Sequence, residues 1–180
     1  MEGRIAYWSP VRGAWKFDDD GAAIYFGSSG QEQSRGICIS RIQLIEGGAR
    51  TTTVTLAQAG TNRTETSVGL LYGYRSPNDE YLAIGLGGAG STFKIERFGG
   101  AVGSQGFALQ TAQAPTRQLH HDLEIRIHGR RIVLKADGIP VLEKVLDVPL
   151  PAGNFGLFAS GDAPIAFIDT IIYMDPICLF

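Results

Sequence analysis

The sequence predicts an all-β chain folded as a two-sheet antiparallel jelly-roll β-sandwich. Three observations lead there. The 24 glycines gather beside Asn, Asp, Ser and Pro at short intervals, and such clusters mark tight turns between short elements. Between the turns, apolar and polar residues alternate with a period of two, as along a strand with one buried and one exposed face. No long segment combines a helical period with end caps. About a dozen short strands in one unit must pack as two sheets or close as a barrel, and we read them as a sandwich.

The 180 residues suffice for one well-buried core and fall short of two, so residues 1–180 are expected to form a single domain. With 44% hydrophobic and 19% charged residues, the chain belongs with globular rather than disordered sequences. The net charge of -2 is spread over interleaved acids and bases, leaving no basic face for duplex nucleic acid or polyphosphate. Cys38 and Cys178 are too few for a disulfide framework and too far apart for a metal-ligand motif. They read as buried reduced thiols, and could pair only if their strands were neighbours. Met1-Glu2-Gly3-Arg4 leads into no apolar run, so no signal peptide is expected. No stretch approaches the roughly 20 apolar residues of a membrane span. As it stands the sequence reads as a soluble cytoplasmic protein with no membrane partner, the alternative being a secreted chain that has shed its leader. Asn62-Arg63-Thr64 fits the glycosylation acceptor pattern, which is too short to carry weight.

Turn signals fall at 18–21, 28–30, 46–48, 76–79, 87–90, 128–129, 137–138 and 160–162. Ahead of the first, Trp8 and Trp15 read as core or staple residues. In 35–45 the alternation slips, because Ile37 and Ile39 are odd whereas Ile42 and Leu44 are even; a β-bulge accounts for the change. Segments 68–75 and 81–86 flank the 76–79 turn as a hairpin. Leu70, Tyr72 and Tyr74 form one face of its first strand, and Leu82, Ile84 and Leu86 one face of its second. The opposite, outward face carries Leu71, Gly73 and Arg75, then Tyr81, Ala83 and Gly85, and its small residues predict a flat or hollowed surface. Further on, Leu123, Ile125 and Ile127 alternate with Glu124, Arg126 and His128, and past Gly129 the pattern resumes with Ile132, Leu134 and Ala136. The tail from Met174 to Phe180 is apolar for a chain end. It is read as packing under a sheet, covering an edge or making a subunit contact.

The hairpin Gly69-Leu70-Leu71-Tyr72-Gly73-Tyr74, with Pro77-Asn78 and Tyr81-Leu82-Ala83-Ile84 after it, resembles one found in laminin-G-like jelly rolls. These belong to the concanavalin A-like lectin/glucanase superfamily, and the keto-disaccharide hydrolase-like branch is the most similar. Phe93-Lys94-Ile95-Glu96, His121-Asp122-Leu123-Glu124-Ile125, Ala136-Asp137-Gly138 and Gly153-Asn154-Phe155-Gly156-Leu157 are similar to later pieces of that family, in order. Ala166-Phe167-Ile168-Asp169 is similar to its closing strand, and Trp15-Lys16-Phe17-Asp18 to its opening. The resemblance spans nearly the whole chain and implies the fold. It implies no single activity, since members include lectins, glycan-binding modules, glycosidases and interaction domains. The glucanase branch sets Glu-x-Asp-x-x-Glu along one strand so that its carboxylates share a face. Here Asp122-Leu123-Glu124 is followed by Ile127, and the third carboxylate is missing. The keto-disaccharide branch presents an Arg where this chain has Gly73 and a Trp where it has His120, two further departures from a catalytic pattern.

Candidate sites follow from side-chain chemistry. His120, Asp122, Glu124, Arg126 and His128 share one face of one strand, a set read as a solvated outer face rather than a metal site. No cofactor is expected, with calcium possible: residues 76–80 are rich in oxygen, and Asp79 and Glu80 are the weak candidates to hold it. An ordinary turn with Pro77 at its second position explains the same residues. Sugar binding needs an aromatic platform and polar groups that reach hydroxyls. The patch assembled for it is Arg75 and Tyr81, outward beside Gly73, Ala83 and Gly85, with Lys94 and Glu96 on the next strand. The leading reading is therefore a non-catalytic recognition module that binds carbohydrate on the outer face of one sheet. The alternatives are a glycoside or keto-sugar hydrolase using Asp122, Glu124 or the histidines, and a structural or protein-interaction domain that forms homo-oligomers.

Overall fold

The computed structural model describes residues 2–4, 8–19, 22–26, 35–58, 67–100, 103–114, 120–161 and 164–174. The acceptor triplet at 62–64, the turn at 28–30, Cys178 and the apolar tail beyond Met174 lie outside the described residues. The chain opens with four short strands, β1 (Glu2–Arg4), β2 (Trp8–Arg12), β3 (Trp15–Phe17) and β4 (Ala23–Tyr25). Then come β5 (Arg35–Leu44), β6 (Arg50–Gln58), β7 (Ser67–Tyr74) and β8 (Tyr81–Gly87). A 3-10 turn, Gly88–Gly90, leads into β9 (Thr92–Gly99) and β10 (Gly103–Gln113). The rest is β11 (His120–His128), β12 (Arg131–Ala136), β13 (Ile139–Val145), β14 (Gly153–Ser160) and β15 (Ile165–Met174).

These strands form two antiparallel sheets, as the alternation predicts. One has the order β13-β12-β11-β6-β15-β4-β3 with β1 also on β15, and the other β10-β9-β8-β7-β14-β5-β2. Between them lies the main core, which includes Tyr25, Leu56, Leu70, Tyr72, Ile84, Phe93, Ile125, Phe155 and Phe167. Burying each such side chain contributes roughly 1.5–3 kcal/mol before the entropy of ordering is subtracted. Trp8 packs on Phe155 and Trp15 on Tyr25 and Phe167, both rings turned towards this core. Arg50 is buried where β6 begins, and its guanidinium donates to the carbonyls of Gly48 and Ile45, closing the β5–β6 hairpin. Cys38 is a buried free thiol beside Leu157 in register, and burial pushes its pKa up to about 12.

Two bulges break the register of the seven-stranded sheet. On β5, Gln43 pairs with Asn154 and Ile39 with Gly156, so four steps along β5 oppose two along β14. The expected bulge is therefore present. Ser40 fills it, donating from Oγ to the Phe155 carbonyl at 3.0 Å while accepting the Ile42 N–H at 3.2 Å. With two extra residues the bulge leaves parity unchanged: Ile37 and Ile39 face outwards, Cys38 and Leu44 face the core, and the apparent slip arises because both faces of β5 are apolar. On β7, Tyr74 pairs with Asn154 and Leu71 with Gly156, three steps against two. Gly73 takes up the extra residue with φ +76°, where a Cβ would stand 2.6 Å from Pro151. Tyr72 consequently faces the core and Tyr74 the opposite side. The expectation that Leu70, Tyr72 and Tyr74 share one face fails at Gly73.

The outer face of the seven-stranded sheet carries a second apolar cluster of Ile37, Leu71, Tyr74, Tyr81, Ala83, Phe98 and Phe158. Tyr81 sits between Tyr74 at 5.1 Å and Phe98 at 5.5 Å, ring centre to ring centre. It is only 3% exposed, which corrects its reading as an open platform. The cause is curvature. Phe98 is level with Tyr81, and Phe158 with Gly69 and Gly85, so the two rings start about 13 Å apart along the strands and about 14 Å across them. Their centres nevertheless lie 5.4 Å apart. The twisted sheet curls along this diagonal and folds its own aromatic side chains into the hollow.

A polar clasp holds the β12–β13 turn. Asp137, in the left-handed region with φ 51°, accepts the Asp122 N–H at 2.9 Å and the Nδ1–H of buried His121 at 2.8 Å. Its own N–H donates to the Asp122 carbonyl. Partial burial pushes the Asp137 carboxyl up, but the Asp122 N–H and the His121 ring outweigh that and hold it below the usual carboxylate value.

Two outcomes follow from this packing. Tyr81→Ala is expected to lower the unfolding free energy by about 3–5 kcal/mol in urea titrations, as truncation of a buried ring does; a loss below about 1 kcal/mol would return the ring to the surface. The depressed Asp137 value means that its contribution is present above the unfolded pKa of about 3.9 and is lost as pH falls through the lower folded value. Asp137→Asn, which tolerates the same backbone, should therefore be less stable than wild type at neutral pH. Acid titrations of both should converge in strong acid, and a constant difference across pH would refute the charge term.

Candidate ligand site

The open part of the curled face is a shallow hollow, with room for little more than one water molecule below its rim, lined by Ser67, Gly69, Ala83, Gly85, Lys94, Glu96 and Phe158. Its floor consists of backbone. Gly69 and Gly85 stand opposite each other on β7 and β8, and a Cβ on Gly85 would collide with the Val68 carbonyl oxygen. The small outward residues of the hairpin do leave a hollow, as expected. The stem of Lys94 crosses Gly87, whose missing side chain makes room for it. Lys94 Nζ reaches Glu96 Oε1 at 3.8 Å, with both groups partly exposed. On the far side Ser160 Oγ accepts the Ser67 N–H, and Arg35 stands opposite Ser160 in register. The Arg35 guanidinium lies 4.7 Å from the centre of the Phe98 ring. Burial lowers its pKa, partly offset by Tyr81 and Glu96.

Of the four residues expected to bind ligand, the structure brings two together. Lys94 and Glu96 border the hollow. Tyr81 is buried beside it, and burial raises its pKa. Arg75 lies beyond the Gly73 bulge and donates from Nε to the Ala152 carbonyl at 2.8 Å. It is six residues along from Gly69, about 20 Å. The bulge thus removes Arg75 from the patch, and curvature removes Tyr81.

The calcium candidates are engaged elsewhere. Asp79 Oδ2 accepts from Ser76 Oγ at 2.9 Å within an ordinary turn, and Glu80 pairs with Arg97 at 3.4 Å. Along β11 the even residues face outwards, as expected. Asp122 accepts from Thr55 Oγ1 at 2.6 Å, and Glu124 bridges Arg126 and Lys135. Among the described residues no three His, Cys, Asp or Glu side chains converge as a metal site. Glu96 is the one carboxylate lining the hollow, whereas glycosidases ordinarily use two. Sequence reasoning missed the His121–Asp137 clasp and the part played by Arg35. The inward parity of His121, shared with Leu123 and Ile125, was the available signal for the first. No sequence signal pointed to Arg35.

No protein-family model and no curated protein matches the chain. Solved structures do. The carbohydrate-binding module CBM66 from Bacillus subtilis superposes with a TM-score of 0.69 at 16% identity, over 93% of this chain and 94% of that one. The Bacillus licheniformis β-glucanase gives 0.66 at 11% identity, over 98% of each chain. The carbohydrate recognition domain of Emp47p gives 0.63 at 12% identity, over 94% of this chain and 89% of that one. At these identities the likeness concerns the fold, and the chain has the concanavalin A-like jelly-roll fold that those structures share.

Proposed function

We propose that this chain is a carbohydrate-recognition module that holds a saccharide in the hollow bordered by Lys94, Glu96, Ser67 and Phe158. The observation that carries the reading is the floor. Gly69 and Gly85 put no side chain at the centre of a curled face, so a saccharide laid across the rim meets the Lys94–Glu96 pair with nothing standing between. Ammonium and carboxylate side by side offer donors and acceptors to neighbouring hydroxyls, and charged groups make the stronger hydrogen bonds. Recognition without turnover fits a hollow with one carboxylate, because glycoside hydrolysis ordinarily needs an acid and a second carboxylate across the scissile bond. A carbohydrate-binding module and a carbohydrate recognition domain among the similar structures support the reading at the level of fold.

A glycan array followed by calorimetry tests it. Glu96→Gln and Lys94→Met are each expected to weaken binding of the array hits by about ten-fold or more, as loss of a charged hydrogen bond does. Thermal melting should stay within a few degrees of wild type. Affinity should be unchanged by chelator, since Asp79 and Glu80 are engaged within the fold. Hits that bind both variants normally would move the site elsewhere, and release of a sugar product detected by mass spectrometry would replace recognition with catalysis.

A further inference from the structure

The charge around the hollow does not cancel. Glu96 stands 3.8 Å from Lys94 and also attracts Arg35, so one carboxylate serves two cations. The Arg35 guanidinium is half-buried on the Phe98 ring, and among the described residues no carboxylate stands within ion-pair distance of it. Stacking uses the face of the guanidinium and leaves its edge of N–H donors directed past the ring. A cation partly withdrawn from water with unmatched donors favours an anion at that edge, and the planar fork suits carboxylate or sulfate in bidentate fashion. Thus a chain with a net charge of -2 turns a local excess of positive charge towards this hollow.

Position joins this cation to the sugar site. Lys94, Gly85, Gly69, Phe158 and Ile37 stand level across five neighbouring strands, and Arg35 is two residues from Ile37 on the last. Lys94 and Arg35 therefore rise from strands about 19 Å apart across four strand spacings, and their long side chains narrow the space from either side. Phe158 lines the hollow and touches Phe98, on which Arg35 rests. We propose that the saccharide taken by this face is an acidic one, its carboxylate or sulfate seated on the Arg35 guanidinium while its ring lies over the glycine floor towards Lys94 and Glu96. This rests on the recognition reading above and adds the class of ligand to it.

The test is calorimetry with paired probes. An oligogalacturonide is compared with its methyl ester, and a sulfated chondroitin oligosaccharide with its desulfated form, beside neutral gluco- and manno-oligosaccharides. At least one charged probe should bind about ten-fold or more tightly than its neutralised partner, and added salt should weaken that binding. Which pair shows the difference separates carboxylate from sulfate. Arg35→Gln should abolish the preference, and Arg35→Lys should restore part of it by returning the charge without the fork. Should loss of the Phe98 contact unfold the Gln variant, Arg35→Lys carries the test alone, and its preference for the charged probe should lie between that of wild type and none. Equal affinity for charged and neutralised probes, or preference for neutral sugars, overturns the acidic class and leaves recognition standing. Silence from every saccharide overturns both.

Discussion

A strand gives each side chain only two directions, so one extra residue reverses every side chain that follows it. This chain uses that rule on β7, and beside it β5 carries two extra residues, which leave its facing unchanged. The bulges on β5 and β7 both oppose the Asn154–Gly156 step of β14, the strand between them. With surplus backbone on both sides of one short step, the middle of the sheet bends. Ser40 satisfies the bent backbone on one side and Gly73 accommodates it on the other. The β7 bulge sends Tyr74 to the outer face while Tyr72 stays in the core. The second cluster, the hollow and the reach of Arg35 to Phe98 all depend on the bend.

The curled face is therefore filled along one diagonal and open beside it. Tyr74, Tyr81, Phe98 and Phe158 occupy the filled part and are buried almost as deeply as the main core. Their contribution is to stability, not contact with ligand. The open part owes its shape to Gly69, Ala83 and Gly85, and its chemistry to Lys94, Glu96 and Arg35 at the borders. Phe158 and Phe98 link the two halves, since one wall of the hollow is also the seat of the cation. Distortion of the cluster would thus reach the site through packed rings.

Much of the fold was legible because period and punctuation are local. The β11 alternation, the hairpin at 76–79 and the β5 bulge each appear within a window of about ten residues, and the structure carries all three, although the β5 bulge leaves parity unchanged. Lys94 and Glu96 were legible as a pair two apart on a strand next to a face of small residues. Tyr81 was not, because alternation separates the two faces of a sheet but is silent on whether the outer one is flat or curled. Gly73 misled for a related reason: a small outward residue and a bulge residue look alike until the partner strand's register is known. The His121–Asp137 clasp joins residues 16 apart across a turn, beyond what a strand period relates. Arg35 acquires its meaning only from Phe98, several strands away.

The floor of the hollow has one more consequence. Alanine scanning finds binding residues by removing atoms, and at Gly69 and Gly85 there are none to remove. A survey by truncation would see Lys94, Glu96 and Arg35 as scattered charges and pass over the surface that joins them. What defines that surface is its intolerance of added matter, because even one methyl at Gly85 has only the neighbouring strand's carbonyl to occupy. The vacancy is held open by backbone packing, so this region can change its ligand by altering the rim far more readily than by altering the base.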